Sequence, residues 1–363
     1  MQYSEFTTIM LHWFAENGRE LPWRETTDPY AIWLSEVILQ QTRIQQGWEY
    51  WERFMRRWPT VELLAAATED EVLREWQGLG YYSRARNLHF AAKQIVALGH
   101  FPNTLEEIKK LKGVGDYTAA AIGSIAFGIP VAVVDGNVYR VLARYFGIDT
   151  PINTTEGKKI FAELANSLCP STPSYLGKGG GGASAFNQAM MDFGAIQCTP
   201  QSPRCLICPL QETCEALHTG RVEHLPVKLK TLKVQTRYFI YIYIRCKGET
   251  AIHRRIAGDI WQGLWEPYFV EVEEGKKFVN NRREKAESLW NLPASLLPFV
   301  SHLLPLKKGV KHVLTHRILY ADFYLLEVNE RLSLPEEYVW VKEKELDDYA
   351  KPRLIEILLE ALS

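Results

Sequence analysis

Four cysteines, Cys198, Cys205, Cys208 and Cys214, stand within 17 residues in the spacing C-x6-C-x2-C-x5-C. A chain gathers thiols this tightly around a metal or in a disulfide staple. Disulfides are not expected, because Cys169 and Cys246 lie apart from the block and the chain opens Met-Gln-Tyr-Ser-Glu-Phe-Thr-Thr, without an apolar secretory run. A single zinc ion usually takes two separated Cys-x2-Cys knuckles. One x2 gap between unequal flanks better suits thiolates on the corners of an iron–sulfur cube, with zinc as the lesser alternative.

At 363 residues and 47% hydrophobic content, with no apolar stretch of membrane length, the chain has material for two or three globular units. It is expected to be soluble and intracellular, with no membrane partner. Its formal net charge is −1; residues 1–225 carry 20 Lys/Arg against 24 Asp/Glu, and the remainder 22 against 19. Bulk charge therefore gives no hold on a polyanion, and any contact with DNA must rest on locally placed donors.

Helical spacing of apolar residues predicts helices over Ser4–Asn17, Pro29–Phe54, Glu69–Leu73, Ser83–Leu98, Thr104–Lys110, Asp116–Phe127 and Gly136–Phe146. The cysteine block closes this all-α part, 1–222. Residues 223–236, with Pro226, Lys228, Lys230 and Lys233, read as an exposed linker. Beyond them the texture changes to β-branched and aromatic runs at Tyr238–Ile244, Thr250–His253, Lys311–His316 and Leu319–Leu326, with candidate helices at Arg282–Trp290 and Lys351–Leu362. Residues 237–363 are thus expected to form an α+β domain. The run Gly177-Lys-Gly-Gly-Gly-Gly-Ala-Ser is expected to be a mobile loop.

Leu111-Lys-Gly-Val-Gly-Asp-Tyr-Thr joins two helical patterns. Gly113 and Gly115 permit a tight turn around Val114, and the next helix then begins with uncovered N–H groups that attract a phosphate without basic side chains. An ordinary helix–turn–helix corner is the plain alternative. Two carboxylates differ in setting. Glu36 lies in the apolar helix Trp33-Leu-Ser-Glu-Val-Ile-Leu, where desolvation should raise its pKa and keep a proton on it, making it a candidate acid. Asp135 immediately precedes a helix start at Gly136, where dipole and amides should hold it ionised. Such a pair suits cleavage of a glycosidic bond through an oxocarbenium-like state. Taken singly, a buried ion-pair partner and a helix cap would explain them as well.

Glu36, the Leu-Lys-Gly-Val-Gly hairpin at 111–117, Val133-Val-Asp-Gly-Asn-Val and the cysteine block occur in the order found in helix-hairpin-helix DNA glycosylases with an iron–sulfur cluster. Leu21-Pro-Trp-Arg, Ser35-Glu-Val-Ile-Leu-Gln-Gln-Thr, Gly78-Leu-Gly-Tyr-Tyr-Ser-Arg-Ala-Arg-Asn-Leu and Phe186-Asn-Gln-Ala-Met-Met-Asp-Phe-Gly-Ala further resemble the adenine DNA glycosylases of the MutY family, closely over 5–220. The resemblance implies removal of adenine mispaired with 8-oxoguanine in double-stranded DNA, a [4Fe-4S] cluster on Cys198, Cys205, Cys208 and Cys214, and base excision repair. It implies that Glu36 protonates the departing base and Asp135 stabilises the sugar cation, with Tyr117 and Asn137 completing the pocket. Trp23, Arg24, Leu39 and Gln188 match positions that hold extruded adenine, and Gln41 and Tyr81 match residues that wedge into the stack. Bifunctional relatives carry a lysine where Tyr117 stands, so a monofunctional enzyme that leaves an abasic site is expected. Action as a monomer is also expected, and a bacterial host would place the enzyme in the cytoplasm, at the nucleoid.

Residues 237–363 resemble the Nudix-like domain with which this family inspects oxidised guanine. The family's Phe-Ser-His element becomes Leu314-Thr315-His316, so Thr315 and His316 are the lesion-contacting candidates. Pyrophosphate hydrolysis is not expected, since Ser288 and Trp290 interrupt the nearest approach to a Nudix box. Two alternatives remain: a related glycosylase for pyrimidine lesions or mispairs, and a DNA-binding iron–sulfur redox sensor without chemistry.

Overall fold

The helical spacing of the first 220 residues becomes helices in the computed structural model, which describes residues 3–171, 182–229, 234–272 and 295–362. The glycine-rich stretch over 177–181, Lys230 and Lys233 of the linker, and the Arg282–Trp290 segment with its Nudix-box remnant lie outside these residues. Among the described residues no helix is long and apolar enough to cross a membrane. The chain divides into two compact units, Met1–Ala66 with Asn87–Lys230, and Ala67–Arg86 with Thr231–Ser363.

The first unit contains α1 (Tyr3–Asn17), α2 (Pro29–Leu39), α3 (Ile44–Arg57) and α4 (Val61–Ala66). Pro29–Phe54, expected as one helical run, is two helices. Gln41 sits in left-handed backbone at φ 57°, which no right-handed helix passes through. Asp28 starts α2 by accepting the Tyr30 N–H, Pro29 occupies the first turn, and every residue from Tyr30 to Ile38 is buried. A helix apolar on most sides belongs in the interior, and α2 is central here.

The unit continues through α6 (Ser83–Leu98, which begins in the second unit), α7 (Leu105–Ile108), α8 (Asp116–Phe127), α9 (Gly136–Phe146), α10 (Thr155–Leu168), α11 (Ala183–Asp192) and α12 (Glu215–His218). A π-helical turn at Phe193–Gln197 extends α11. Helices α1, α9, α10 and α11 share one core, including Phe6, Phe14, Val138, Leu142, Phe161, Phe186 and Phe193.

Among the described residues the second unit is built on a six-stranded sheet. Its strands are β1 (Gln235–Cys246), β2 (Glu249–Arg254), β3 (Trp265–Val272), β4 (Leu304–Val313), β5 (Arg317–Val328) and β6 (Tyr338–Lys342), in the order β4-β5-β1-β3-β2-β6. Among the described residues the β1–β5 ladder is parallel and the other pairings are antiparallel. Alternation along β1 separates two cores, because successive side chains leave a strand on opposite faces. Phe239, Tyr241 and Tyr243 pack with Leu354, Ile355 and Leu358 of α13 (Arg353–Glu360), while Ile240, Ile242 and Ile244 pack with Tyr268 and Leu326.

The early segment joins this unit through α5 (Glu69–Glu75) and the turn after it. Gln77 donates to Glu356 at 2.5 Å, Arg86 to the Gln262 carbonyl at 2.5 Å, and Arg254 to Glu69 at 2.9 Å. The linear reading of the chain placed all these early residues in its 1–222 part; contacts distant in sequence group 67–86 with the sheet.

Candidate active site

A cavity of about 240 Å³ opens in the first unit. Helix α2 brings Glu36 and Leu39 to it, a 3₁₀ turn at Pro22–Arg24 brings Trp23 and Arg24, α8 brings Tyr117, α9 brings Asn137 with its cap Asp135, and α11 brings Gln188. These are the eight residues expected to form the catalytic and base pocket. The volume is below the roughly 300–1,000 Å³ of sites for drug-sized ligands and suits a single heterocycle. Trp23 is buried against Trp48 and Trp51, with ring centroids 6.0 and 5.8 Å away.

Glu36 is buried, and its Oε2 accepts the Tyr117 hydroxyl at 2.9 Å. Burial raises its pKa from 4.5 to about 7; the Tyr117 hydrogen bond and Arg24 pull it back, and Asp135 pushes it further up. A carboxyl in this state holds its proton near neutral pH and can release it to a basic leaving group.

Asp135 caps α9 as its position suggests. Oδ1 accepts the N–H groups of Asn137 at 2.9 Å and Val138 at 2.8 Å, and Oδ2 accepts Asn137 Nδ2 at 2.8 Å. The expectation that amides and dipole keep its pKa low needs correction. Burial is the larger influence and moves it up, against those three donors and Arg140. All three hydrogen bonds fit the ionised form, so the carboxylate remains the state the site is built around.

Several contributors were not foreseen. Arg140 donates to Asn137 Oδ1 at 2.8 Å, to the Gly194 carbonyl at 2.6 Å and to the Cys198 carbonyl at 2.7 Å, linking the cysteine loop to the Asn137–Asp135 pair. Asn187 accepts the Val133 N–H and donates to Ser124 Oγ and the Val131 carbonyl, each at 2.9 Å, which fixes the extended approach to Asp135. It lies within the Phe186-Asn-Gln-Ala motif, the one sequence signal that could have found it. Gly194 leaves room for Asn137, since a Cβ there would lie 2.5 Å from Asn137 Cβ.

Cys198, Cys208 and Cys214 pack on the core that holds α9, with Leu210 and Ala216. Among the described residues no three donors close around a single metal ion. The four thiols nevertheless act on one another. Burial first, then repulsion from Cys198, Cys214 and Cys205, pushes Cys208 up to about 11. Arg144 supplies positive charge behind the loop, with Nη1 3.5 Å from Cys198 Sγ and bonds to the Thr199 and Pro200 carbonyls. Four thiols within electrostatic reach of one another, with the buried guanidiniums of Arg140 and Arg144 behind them, fit the charge of an anionic thiolate-bound cluster.

The hairpin forms as expected. Gly113 has φ 81°, Val114 is buried and donates to the Leu111 carbonyl at 3.1 Å, and Gly115 starts α8 with no side-chain cap. Gln41 is exposed, just past α2.

In the second unit a separate cavity of about 460 Å³ is lined by Tyr81, Arg86, Trp261, Thr315 and His316 among others. Thr315 and His316 are exposed in the β4–β5 turn, not on a strand. Tyr81 is 43% exposed, and its hydroxyl shares a hydrogen bond with Thr315 Oγ1. Tyr81 has φ 49°, so both residues matched to the wedge, Gln41 and Tyr81, stand in left-handed backbone, a conformation that concentrates at functional sites.

Residues 34–168 match the HhH-GPD superfamily of base excision DNA repair proteins, 198–214 the iron–sulfur binding domain of endonuclease III, and 240–361 the NUDIX domain. Adenine DNA glycosylase of Buchnera aphidicola subsp. Baizongia pistaciae is 32% identical over 90% of this chain and 87% of its own length; that of subsp. Acyrthosiphon pisum is 30% identical over 98% and 97%. The human adenine DNA glycosylase is 39% identical over 62% of this chain and 41% of its own. Among solved structures, a thermostable thymine-DNA glycosylase superposes at TM-score 0.54 with 30% identity, covering 60% of this chain and 97% of that one. A non-covalent endonuclease III–DNA complex superposes at 0.51 with 22% identity, covering 61% and 98%, which bears on the fold alone.

Proposed function

Because this chain belongs to the adenine DNA glycosylase family, we propose that it removes adenine lying opposite 8-oxoguanine or guanine in double-stranded DNA, by acid-assisted cleavage of the N-glycosidic bond. The family and its [4Fe-4S] cluster are the premises. One observation carries the chemistry: a protonatable Glu36 and a hydrogen-bonded Asp135 line the same base-sized cavity.

The base must leave the duplex to reach Glu36, and Trp23, Arg24, Leu39 and Gln188 form the walls that receive it. Glu36 gives its proton to a ring nitrogen of adenine. The C1′–N9 bond then breaks, and its electron pair departs with the neutralised base. Positive charge left on the sugar is stabilised by the Asp135 carboxylate, which Asn137 holds in place through Nδ2. Water adds at C1′ and its proton returns to Glu36, leaving an abasic site. No amine stands at Tyr117 to form a Schiff base, so the strand stays intact.

The bound cluster would tie the 198–214 loop together through Cys198, Cys205, Cys208 and Cys214. Through Arg140, that loop supports Asn137. Phosphate would be held at Gly113, Val114 and Gly115; Gln41 and Tyr81 would fill the space left by the base, and Thr315 and His316 would read the opposite guanine. The domains assigned are the catalytic region 1–222, the linker 223–236 and the reader 237–363, joined by the early segment 67–86, in a protein that acts as a monomer inside the cell. A thymine mispair enzyme is the rival from the structural likeness, but that likeness spans 60% of the chain where the adenine enzymes span 90% and 98%.

The test uses duplexes with adenine opposite 8-oxoguanine, adenine opposite guanine, and thymine opposite guanine. Free base and strand breaks are assayed before and after alkali, with E36Q in parallel. Adenine release that needs Glu36, with breaks only after alkali, is expected. Thymine release, or DNA binding without base release, would overturn the reading.

A further inference from the structure

Asp192 ends α11 with a fully buried carboxylate on which two arginines converge. Arg19 donates its backbone N–H to Oδ2 and its Nε to Oδ1, both at 2.9 Å, and its Nη2 also bonds Oδ1. Arg24 donates Nη1 to Oδ2 and Nη2 to Oδ1, both at 2.8 Å, and its Nη1 reaches the Arg19 carbonyl at 3.0 Å. Burial pushes Asp192 up, but the bonds from Arg24 and Arg19 outweigh it and hold the carboxyl below its usual range. Arg19 and Arg24 line the base cavity. Base removal as described above gives Asp192 no task.

Its charge supplies one. Two guanidiniums with one carboxylate leave a single net positive charge on the cavity wall. Glu36 has to keep its proton there, and Arg24 already works against that. We propose that Asp192 is a positioning residue that sets the proton affinity of Glu36, by pinning the Arg24 guanidinium in the wall and cancelling one of the wall's two positive charges. The inference rests on Glu36 as the acid. The other groups acting on Glu36, Tyr117 from α8 and Asp135 ahead of α9, are not bonded to Asp192. A unit charge about 10 Å away, at an effective dielectric constant of about 20, moves a pKa by about one unit.

The experiment follows single-turnover adenine excision from about pH 5 to about pH 9 in the intact protein, D192N, R19L and the double variant R19L/D192N. The alkaline limb should fall by about one pH unit in D192N, rise in R19L, and return near its original place in the double variant, which restores the net charge. A mere anchoring role would lower the rate of D192N at every pH with the midpoint unmoved, and that result would overturn the proposal. If D192N does not fold, an unmoved midpoint in R19L overturns it equally. E36Q separates the two layers. Excision surviving in E36Q with the original profile removes the acid assignment and this inference with it, whereas loss of excision in E36Q with fixed midpoints in the charge variants removes Asp192 alone.

Discussion

The Tyr117 hydroxyl donates to Glu36 Oε2 at 2.9 Å, so the group proposed to surrender a proton is held by a second O–H. This bond favours the carboxylate and opposes burial, which lifts Glu36 to about 7. Tyr117→Phe keeps the ring and removes the opposition. The alkaline limb of excision should therefore move above pH 7, opposite in direction to the shift from losing Asp192. A pH–rate profile decides; an unshifted midpoint would break the link.

Glu36 also leaves a mark on stability. Its folded pKa is raised from 4.5 to about 7, so the stability linked to its bound proton is fully present below about 4.5 and lost as pH rises through about 7. E36Q is spared that loss. It should gain on the order of 3 kcal/mol over the intact protein at about pH 8, and much less at about pH 5. Urea unfolding at both pH values measures it, and an equal difference at both would refute the linkage.

Arg140 bonds the Cys198 and Gly194 carbonyls as well as Asn137 Oδ1. Arg140→Met should release Asn137 and lower excision by about 10- to 100-fold, the scale of losing a group that orients a site residue from behind. Iron content and DNA affinity, measured beside the rate, should fall much less. A loss of iron in proportion to activity would instead make Arg140 a support of the loop alone.

Gly113→Ala meets two obstacles. The backbone there has φ 81°, and the new Cβ would stand 2.7 Å from Asn87 Cβ and 2.9 Å from its Nδ2. A cost of about 1–3 kcal/mol is expected. Denaturation should show it, together with weaker binding of undamaged duplex and an unchanged pH midpoint.

Tyr81 and Thr315 share a hydrogen bond within the second unit. Tyr81→Phe, Thr315→Ala and the double variant form a cycle in which discrimination between 8-oxoguanine and guanine opposite adenine is measured. A coupling of about 0.5–1.5 kcal/mol is expected. Strict additivity would show that the two hydroxyls act independently.

The eight cavity residues were legible because short local motifs carry them: Glu36 and Asp135 through their own settings, and Trp23, Arg24, Leu39, Tyr117, Asn137 and Gln188 through the family resemblance, although neither the turn at Pro22–Arg24 nor helix α11 was expected. What depended on distant partners was not. Asp192 and Arg19 lie 173 residues apart, and nothing local to either predicts their contact. The upward shift of Asp135 was missed because sequence reveals a helix start but not how far the surrounding core shuts out water. Strand β3 escaped because Glu266 and Pro267 interrupt an apolar run; Glu266 is tolerated there by Arg255 at 2.7 Å and the Tyr241 hydroxyl at 2.9 Å. The break after α2 was hidden because Gln41 adopts left-handed backbone without being glycine.

The excursion of Ala67–Arg86 into the sheet unit has a consequence for modular exchange. A fragment beginning at 231 would express the strands without Gln77, Arg86 and Glu69, stripping their partners Glu356, Gln262 and Arg254. A recombination event confined to the linker would set Tyr81 against a foreign turn in place of Thr315. Transplanting the sheet half between relatives is therefore a two-segment graft, and lineages that shuffle it must inherit both pieces together.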